Sequence, residues 1–444
     1  MCVGPGVIRV ADIDSTGSTT SREARKLVSD RIAATQPAGI LRALGLRERC
    51  LYRYSERNPL LFVLAAEFDV TLDPRRVGDA LDAVQRRHPL LSAHIQDDTV
   101  LGPAFYRADL ATPIELTLHR DPDQDWQALA AEELTRPFDI ATAPLMRATL
   151  LDQRTSSTLL LTFDHVISDG ISSVAVLDDL LATINGERLA ALPLPESLEA
   201  LATRRFDASH IGDVRPEVGD PRMAVPTRVR PFDATPPYVH RVSMDRGATA
   251  HLIERCRNEG ATVHAAIVTA ASRVRSAGCG DDFVRTYSPI NARGLVAQAT
   301  GSCLCISFAC TGMAPGDGTA FWCQARETSE RLKVMRSPAG LMLGSAVIED
   351  NFPFDADCEA AEHFLCTLLP FELTITNLGV RKLSRLRPVR PRAIWGPVVL
   401  TQIERECVTG VVTYDGQLRM VTCGYAATDD FLEETREMLI GAME

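Results

Sequence analysis

The chain has 444 residues, of which 45% are hydrophobic, 24% charged and 6% aromatic, enough apolar material for more than one core and too much for one small domain. Its 47 Lys and Arg against 58 Asp and Glu give a net charge of −11 with no Lys/Arg block, which removes the electrostatic driving force for a nucleic-acid partner. No apolar run reaches the roughly 18 residues of a membrane span, and Met1 to Asp30 lacks a basic-then-apolar signal pattern, so the expected location is the cytoplasm.

Residues 1–40 show no sustained period and read as an N-terminal arm without a core of its own. Leu60 to Phe68 is an unbroken apolar run and reads as a buried strand. Asp73-Pro74 supplies a cap and a first-turn proline for a helix carrying Val77, Leu81 and Val84 on one face, and Pro89 stops it. A short helix around Asp125 to Leu134 precedes strands at Leu145 to Leu151 and Thr158 to Phe163, which the polar turn Asp152 to Ser157 joins into a hairpin. Ile171, Val174, Leu177, Leu181 and Ile184 then recur at helical spacing up to the stop Asn185-Gly186.

Between Gly186 and Pro237 prolines are frequent and no period persists, which suits a linker. Alternation resumes with a strand at Tyr238 to Met244, helices at Arg246 to Asn258 and Thr262 to Arg275, strands near Val284 to Pro289 and Cys303 to Ala309, and a helix from Thr319 to Val334. The chain ends with strands at Phe371 to Thr376, Pro397 to Gln402 and Cys407 to Thr413, a turn at Asp415-Gly416 into Leu418 to Cys423, and a helix over Asp429 to Met443. The pattern is α/β, with an arm at 1–40, a first half at 41–186, a linker at 187–237 and a second half at 238–444.

Twelve cysteines are scattered rather than paired and read as free packing thiols. In the tightest cluster Cys303 and Cys305 are expected on one strand face with Ser307 and Ala309; a zinc site there is the lesser reading, since paired ligands at two-to-four-residue gaps are missing. No metal site is expected.

The segment Phe163-Asp164-His165-Val166-Ile167-Ser168-Asp169-Gly170 joins a hydrophobic strand to an amphipathic helix, where side chains can be aimed into a cleft. His165 is the one residue there whose unperturbed pKa lies near neutrality, suited to take a proton from an attacking hydroxyl or amine. Asp169 can cap the helix or pair with an arginine, and Gly170 lets the backbone turn or a substrate pass close. Set beside this is the plainer reading: a hydrogen-bonded core histidine followed by a capped turn. His88 and His264 read as structural, the first ending a helix and the second packed on an apolar one.

These residues resemble the His-His-x-x-x-Asp-Gly motif of the condensation-domain superfamily of acyltransferases, which includes peptide-synthetase condensation domains, chloramphenicol acetyltransferase, the plant-type enzymes and the polyketide-associated acyltransferases. Arg86 to Leu91, Arg136 to Arg147 and Gly260 to Ala266 resemble further segments of that family in the expected order. The resemblance implies two chloramphenicol-acetyltransferase-like halves, mixed sheets flanked by helices, set in a V with a tunnel between them. It implies His165 as general base and Asp169 as a structural residue salt-bridged to an arginine, best matched by Arg293. Asp164 stands where many members carry the first histidine, and strand alternation would turn it away from a cleft that His165 faces. Phe371 to Gly379 resembles the crossing strand of the second half and would bring Thr376, Asn377 and Gly379 to the tunnel, with Ser168 and Asn377 as candidate oxyanion donors. The Asp-Phe-Gly-Trp-Gly of the plant enzymes is absent.

The function these readings imply is transfer of an acyl group from acyl-CoA or a phosphopantetheine carrier to a hydroxyl of a secondary-metabolite or lipid acceptor. No cofactor other than the thioester substrate is implied, a carrier protein is a candidate partner, and a monomer is expected. Amide formation from a carrier-bound acyl group, and a non-catalytic carrier-docking role, are the alternatives. The arginines Arg381, Arg385, Arg387, Arg390 and Arg392 read as a solvated loop, or as the place an acidic carrier or a coenzyme A phosphate is held.

Overall fold

The computed structural model describes residues 39–108, 112–121, 123–206, 220–297, 301–383, 387–426 and 430–444. The expected arm lies outside them except for its last two residues, as does Arg385. The first part of the chain runs β1 (Ile40–Ala43), α1 (Leu46–Ser55), β2 (Leu61–Phe68), α2 (Pro74–Arg87), β3 (Ala93–Asp98), β4 (Gly102–Arg107), β5 (Glu115–His119), α3 (Trp126–Glu133), β6 (Met146–Asp152), β7 (Ser157–Asp164) and α4 (Gly170–Ile184). After α5 (Leu198–Arg205) come β8 (Tyr238–Met244), α6 (Arg246–Asn258), α7 (Val263–Cys279), β9 (Val284–Asn291), α8 (Arg293–Val296), β10 (Ile306–Met313), α9 (Phe321–Met335), α10 (Pro338–Asn351) and α11 (Cys358–His363). The chain closes with β11 (Leu373–Arg381), β12 (Ala393–Val399), β13 (Cys407–Tyr414), β14 (Gln417–Gly424) and α12 (Phe431–Gly441).

Local chemistry fixes most of these ends. Asp73, Asp125, Ser197, Asp245 and Thr262 each stand one residue before a helix and accept a hydrogen bond from a first-turn amide, satisfying donors that the helix itself leaves open. Ser197 explains a helix, α5, inside the proline-rich stretch where no period was visible.

Three mixed or antiparallel sheets result. A small sheet has the order β1-β4-β3, a five-stranded sheet β12-β2-β7-β6-β5, and a six-stranded sheet β10-β9-β11-β13-β14-β8. β5 pairs parallel to β6, and β11 runs parallel to both β9 and β13. α2 and α4 pack on each other over the five-stranded sheet, and α7, α9 and α12 group together against the six-stranded one, giving the expected α/β architecture of sheets flanked by helices.

Two strand expectations are corrected. Phe371 to Gly379 was expected to cross between halves, but β11 stays inside the six-stranded sheet, and β12 crosses instead. β2 is buried along its whole length, with β7 on one edge, so its other edge must find a partner, and β12 supplies it from far along the chain. Cys303 and Cys305 were expected in a strand with Ala309, yet β10 begins only at Ile306. Their amides are claimed by side chains of the motif region rather than by a sheet ladder.

The crossing strand also explains Gly410 on β13. A Cβ there would lie 2.1 Å from the Pro397 carbonyl oxygen and 2.8 Å from the Gly396 carbonyl carbon, both backbone atoms that cannot swing aside. Gly410→Ala is therefore expected to force β12 and β13 apart and to destabilise by about 1–3 kcal/mol or more, read as a lowered urea midpoint at unchanged slope. An unchanged midpoint would show that the two strands separate without strain.

No helix among the described residues is long and apolar enough to cross a membrane.

Candidate active site

β7 ends at Asp164, where its amide bonds to the Leu145 carbonyl at 3.0 Å, while the next amide, that of His165, turns to the Leu60 carbonyl at 3.0 Å. Asp164 then holds the bend, its carboxylate accepting the Val166 amide at 2.9 Å. The His165 ring lies against Phe62 with centroids 5.0 Å apart, and its Nδ1 is buried without a hydrogen-bond partner. Burial lowers the imidazole's pKa below its ordinary value, partly offset by the backbone carbonyls of His165 and Ser168 and by the Asp169 charge.

Burial, opposed only by the Val166 amide, raises the Asp164 pKa to about 7. A carboxyl whose pKa rises on folding stays protonated while the unfolded chain ionises, so stability present below about pH 4 is lost as the pH climbs towards 7. Asp164→Asn keeps an acceptor for Val166 and removes that titration. Its stability relative to the parent is expected to improve between pH 5 and pH 8, on the order of 1 kcal/mol or more, measured by urea unfolding at the two pH values. A constant difference across that range would place the titrating group elsewhere.

Asp169 is 1% exposed, and its carboxylate accepts four hydrogen bonds. One oxygen caps α4 by accepting the amides of Ile171 and Ser172 at 3.0 and 2.9 Å. The other accepts the Cys305 amide at 2.8 Å and the Arg293 guanidinium at 2.9 Å. Burial alone would lower the Arg293 pKa, but the Asp169 carboxylate more than reverses this and raises it. Arg293 also donates to Ser172 Oγ at 2.7 Å, and that oxygen accepts the Cys303 amide at 3.1 Å. Gly170 lets α4 begin in close contact with the second part of the chain, since a Cβ would meet Leu378 Cδ2 at 2.6 Å and Pro397 Cγ at 3.4 Å.

A second stitch lies beside the first. Ser302 donates its amide to His88 Nδ1 at 3.1 Å and its hydroxyl to the Ile167 carbonyl at 2.8 Å, and His88 Nε2, which carries the proton in this arrangement, reaches Asp179 at 3.0 Å. His88, Ser172 and Ser302 escaped the sequence reading as members of the site. Ser172, a small polar residue in the first turn of a helix otherwise rich in Leu and Val, was the one visible signal.

The residues expected to line a substrate passage separate into two groups. Asn377 and Gly379 lie on the wall of a cleft of about 400 Å³, together with His264, Asn291, Leu295 and Arg336. Thr376, facing the other way on β11, is buried, and Ser168 is fully buried with its Oγ 3.5 Å from the Asp169 carbonyl, so neither lines that cleft. His264 turns out to be a wall residue, bonded through Nε2 to Ser288 Oγ at 2.9 Å. A larger hollow, about 550 Å³ around Thr71, Arg120 and Arg154, borders the far end of the β6–β7 hairpin and touches none of these residues.

Two members of the arginine group are tied into the fold. Arg387 pairs with Asp178 and Glu187, and Arg392 with Glu67 and Asp69, so these charges are neutralised within the fold. Cys303 and Cys305 are buried thiols whose pKa values burial raises to about 11 and about 12, unsuited to nucleophilic attack at neutral pH. Among the described residues no three His, Cys, Asp or Glu side chains gather as a metal site would require.

Part of the chain matches a known family. Residues 60–202 match the family model of the condensation domain. Phosphinothricin tripeptide synthetase PhsC of Streptomyces viridochromogenes is 30% identical over 242 residues, 49% of this chain and 22% of that protein. A linear gramicidin synthase of Brevibacillus parabrevis is 28% identical over 241 residues, 49% of this chain and 5% of its own length. The matches thus span less than a quarter of these relatives. Among solved structures, polyketide synthase associated protein 5 from Mycobacterium tuberculosis superposes with a TM-score of 0.66 at 17% identity, covering 92% of this chain and 99% of that one. The first condensation domain of the CDA synthetase gives 0.64 at 14% identity, covering 91% and 96%. The family match covers the stretch from β2 to α5, which holds the His165 to Gly170 turn, and the fold of nearly the whole chain is similar to that of solved condensation domains.

Proposed function

We propose that the chain is an acyltransferase that moves an acyl group from a thioester, carried on coenzyme A or on a carrier protein, to a hydroxyl of a small-molecule acceptor. The observation that carries this reading is His165: it stands at the β7–α4 junction, its Nδ1 is buried, and the aspartate four residues on is clamped to Arg293. In this reading Nε2 is the ring nitrogen presented to a reactant. An alcohol cannot attack a thioester as a free alkoxide at neutral pH, so a base must take its proton as the new bond forms. In this reading His165 takes that proton and passes it to the departing thiolate, and the ester forms directly with donor and acceptor both bound. The V-shaped pairing of halves at 41–186 and 238–444, with a tunnel for the two substrates between them, belongs to the same proposal. Asp169 and Arg293 are positioning residues within it.

Amide formation is the second reading, favoured by the two relatives above, which are named as a peptide synthetase and a gramicidin synthase. The same base serves an amine acceptor. To separate the readings, the protein is incubated with acyl-CoA and acyl-carrier donors and a panel of alcohols and amines, and thiol release and product mass are followed. Ester product supports the first reading and amide product the second. Donor consumed under no condition would remove catalysis altogether and leave a carrier-docking role.

A further inference from the structure

The cleft against β11 has a property that acyl transfer by His165 does not use. His264 from the first turn of α7, Asn291 from the end of β9, Arg336 from just past α9, and Asn377 and Gly379 from β11 form its walls. Arg381, two residues further along β11, borders that wall: its Nη2 lies 3.7 Å from where a Cβ on Gly379 would sit. None of the lining residues is acidic. Several arginines of the fold carry a carboxylate partner, as Arg293 does in Asp169, Arg387 in Asp178 and Glu187, and Arg392 in Glu67 and Asp69. Among the described residues neither Arg336 nor Arg381 has such a carboxylate, and Arg381 Nε is buried with no hydrogen-bond partner.

The cations act on their surroundings. Burial, and then the Arg336 charge, lower the His264 pKa to about 3, and burial, and then the Arg293 charge, lower that of Arg381. Positive charge held together without an internal counter-ion is self-repulsive, and an incoming anion relieves it. Asn377 accepts the Gly379 amide through Oδ1 at 2.7 Å, which leaves its side-chain NH₂ as a neutral donor. The N-terminal end of α7, seventeen residues long, adds the positive end of its dipole beside His264.

We infer that this cleft is an oxyanion-binding subsite, taking the phosphate or carboxylate group of a small molecule between Arg336 and Arg381 with the Asn377 amide as a third donor. At about 400 Å³ the cleft exceeds one phosphate and fits a charged group borne on a larger body. The subsite stands on its own residues and does not rest on His165 being a base.

Calorimetric titration of the full chain tests it without turnover. Pyrophosphate is the first probe, and 4′-phosphopantetheine against pantetheine, and succinate against succinamide, distinguish a donor phosphate from an acceptor carboxylate. Wild type is expected to bind pyrophosphate, Arg336→Gln and Arg381→Gln each to weaken it about tenfold or more, and the double variant to abolish it. Arg387→Gln, whose guanidinium is paired outside the cleft, and His165→Ala should both bind as wild type does. Thermal unfolding of each variant confirms that it is folded. Preference for either charged probe over its neutral partner supports the inference and names the source. Absence of anion binding in wild type, equal affinity for charged and neutral probes in both pairs, or a folded double variant within about twofold of wild type overturns it.

Discussion

Replacing His165 with alanine is expected to lower the transfer rate by about two to four orders of magnitude while leaving the unfolding midpoint nearly unchanged. The expectation of nearly intact stability is physical: the imidazole makes one ring contact, with Phe62, and beyond that only interacts with the nearby backbone carbonyls of His165 and Ser168. The base must be neutral to act. Burial lowers the pKa of His165, so the neutral form persists to more acid pH than a free imidazole allows. The acid limb of kcat/KM for the wild type should therefore fall below pH 6.5 and vanish with the side chain. A His165→Ala protein that retains its full rate, or an acid limb centred above pH 7, would move the role of base to another group. Because the alanine variant should remain folded, a loss of rate without a loss of midpoint separates chemistry from collapse.

How far the sequence discloses this site depends on whether the relevant physics is local. The His165 to Gly170 turn was legible because its parts sit within six residues: a strand that ends, a cap, a glycine and a helix with Ile171, Val174 and Leu177 on its apolar face. The capping Asp73 of α2 was legible for the same reason. Strand pairing was not. Nothing in the composition of β12 says that it will leave the sheet of its neighbours to complete the edge of β2, because periodicity reports burial and not partner. Residues 301–305 carry the same lesson at finer scale. They look like the beginning of a strand, yet Asp169 and Ser172, more than a hundred residues away, take the amides that a ladder would have used. α1 was missed because its apolar stripe is weak and it follows no polar cap, starting after Gly45.

The arginines show why charge needs three dimensions. As a sequence cluster Arg381, Arg387 and Arg392 look alike, and the fold sorts them: two are neutralised by carboxylates from the first part of the chain, and the third turns to a wall with no acid on it. Arg336, well before that cluster in the chain, joins the third one only because α9 ends beside β11. Of an anion site assembled in this way only the Arg381 half shows in linear spacing, as one arginine of the cluster, and Arg336 does not.

Asp169→Ala is expected to cost about 3–5 kcal/mol of stability, a larger loss than any other single change considered, because it strands a buried charge and uncaps a helix together. Arg293 would keep Ser172 Oγ but lose its counter-charge, and the Cys305, Ile171 and Ser172 amides would each lose their acceptor. Asn is no safe substitute. Its oxygen can still cap α4, but its NH₂ would face the Arg293 guanidinium and the Cys305 amide, donor against donor. Asp169→Asn should therefore fall only modestly short of the alanine variant. The double variant Asp169→Ala with Arg293→Ala should be less destabilised than the sum of the two single changes, with a coupling of at least about 1 kcal/mol, since removing the cation relieves the stranded charge. Additive losses would mean that the cap alone matters and the ion pair is incidental. The consequence for catalysis follows from position: Asp169 touches the amides that open α4 and hold residues 303–305, so its loss frees the turn on which His165 stands. At a temperature where the variant remains folded, kcat should fall while the pH at which the acid limb appears stays close to that of the wild type, which marks Asp169 as holding the base in place rather than serving as one.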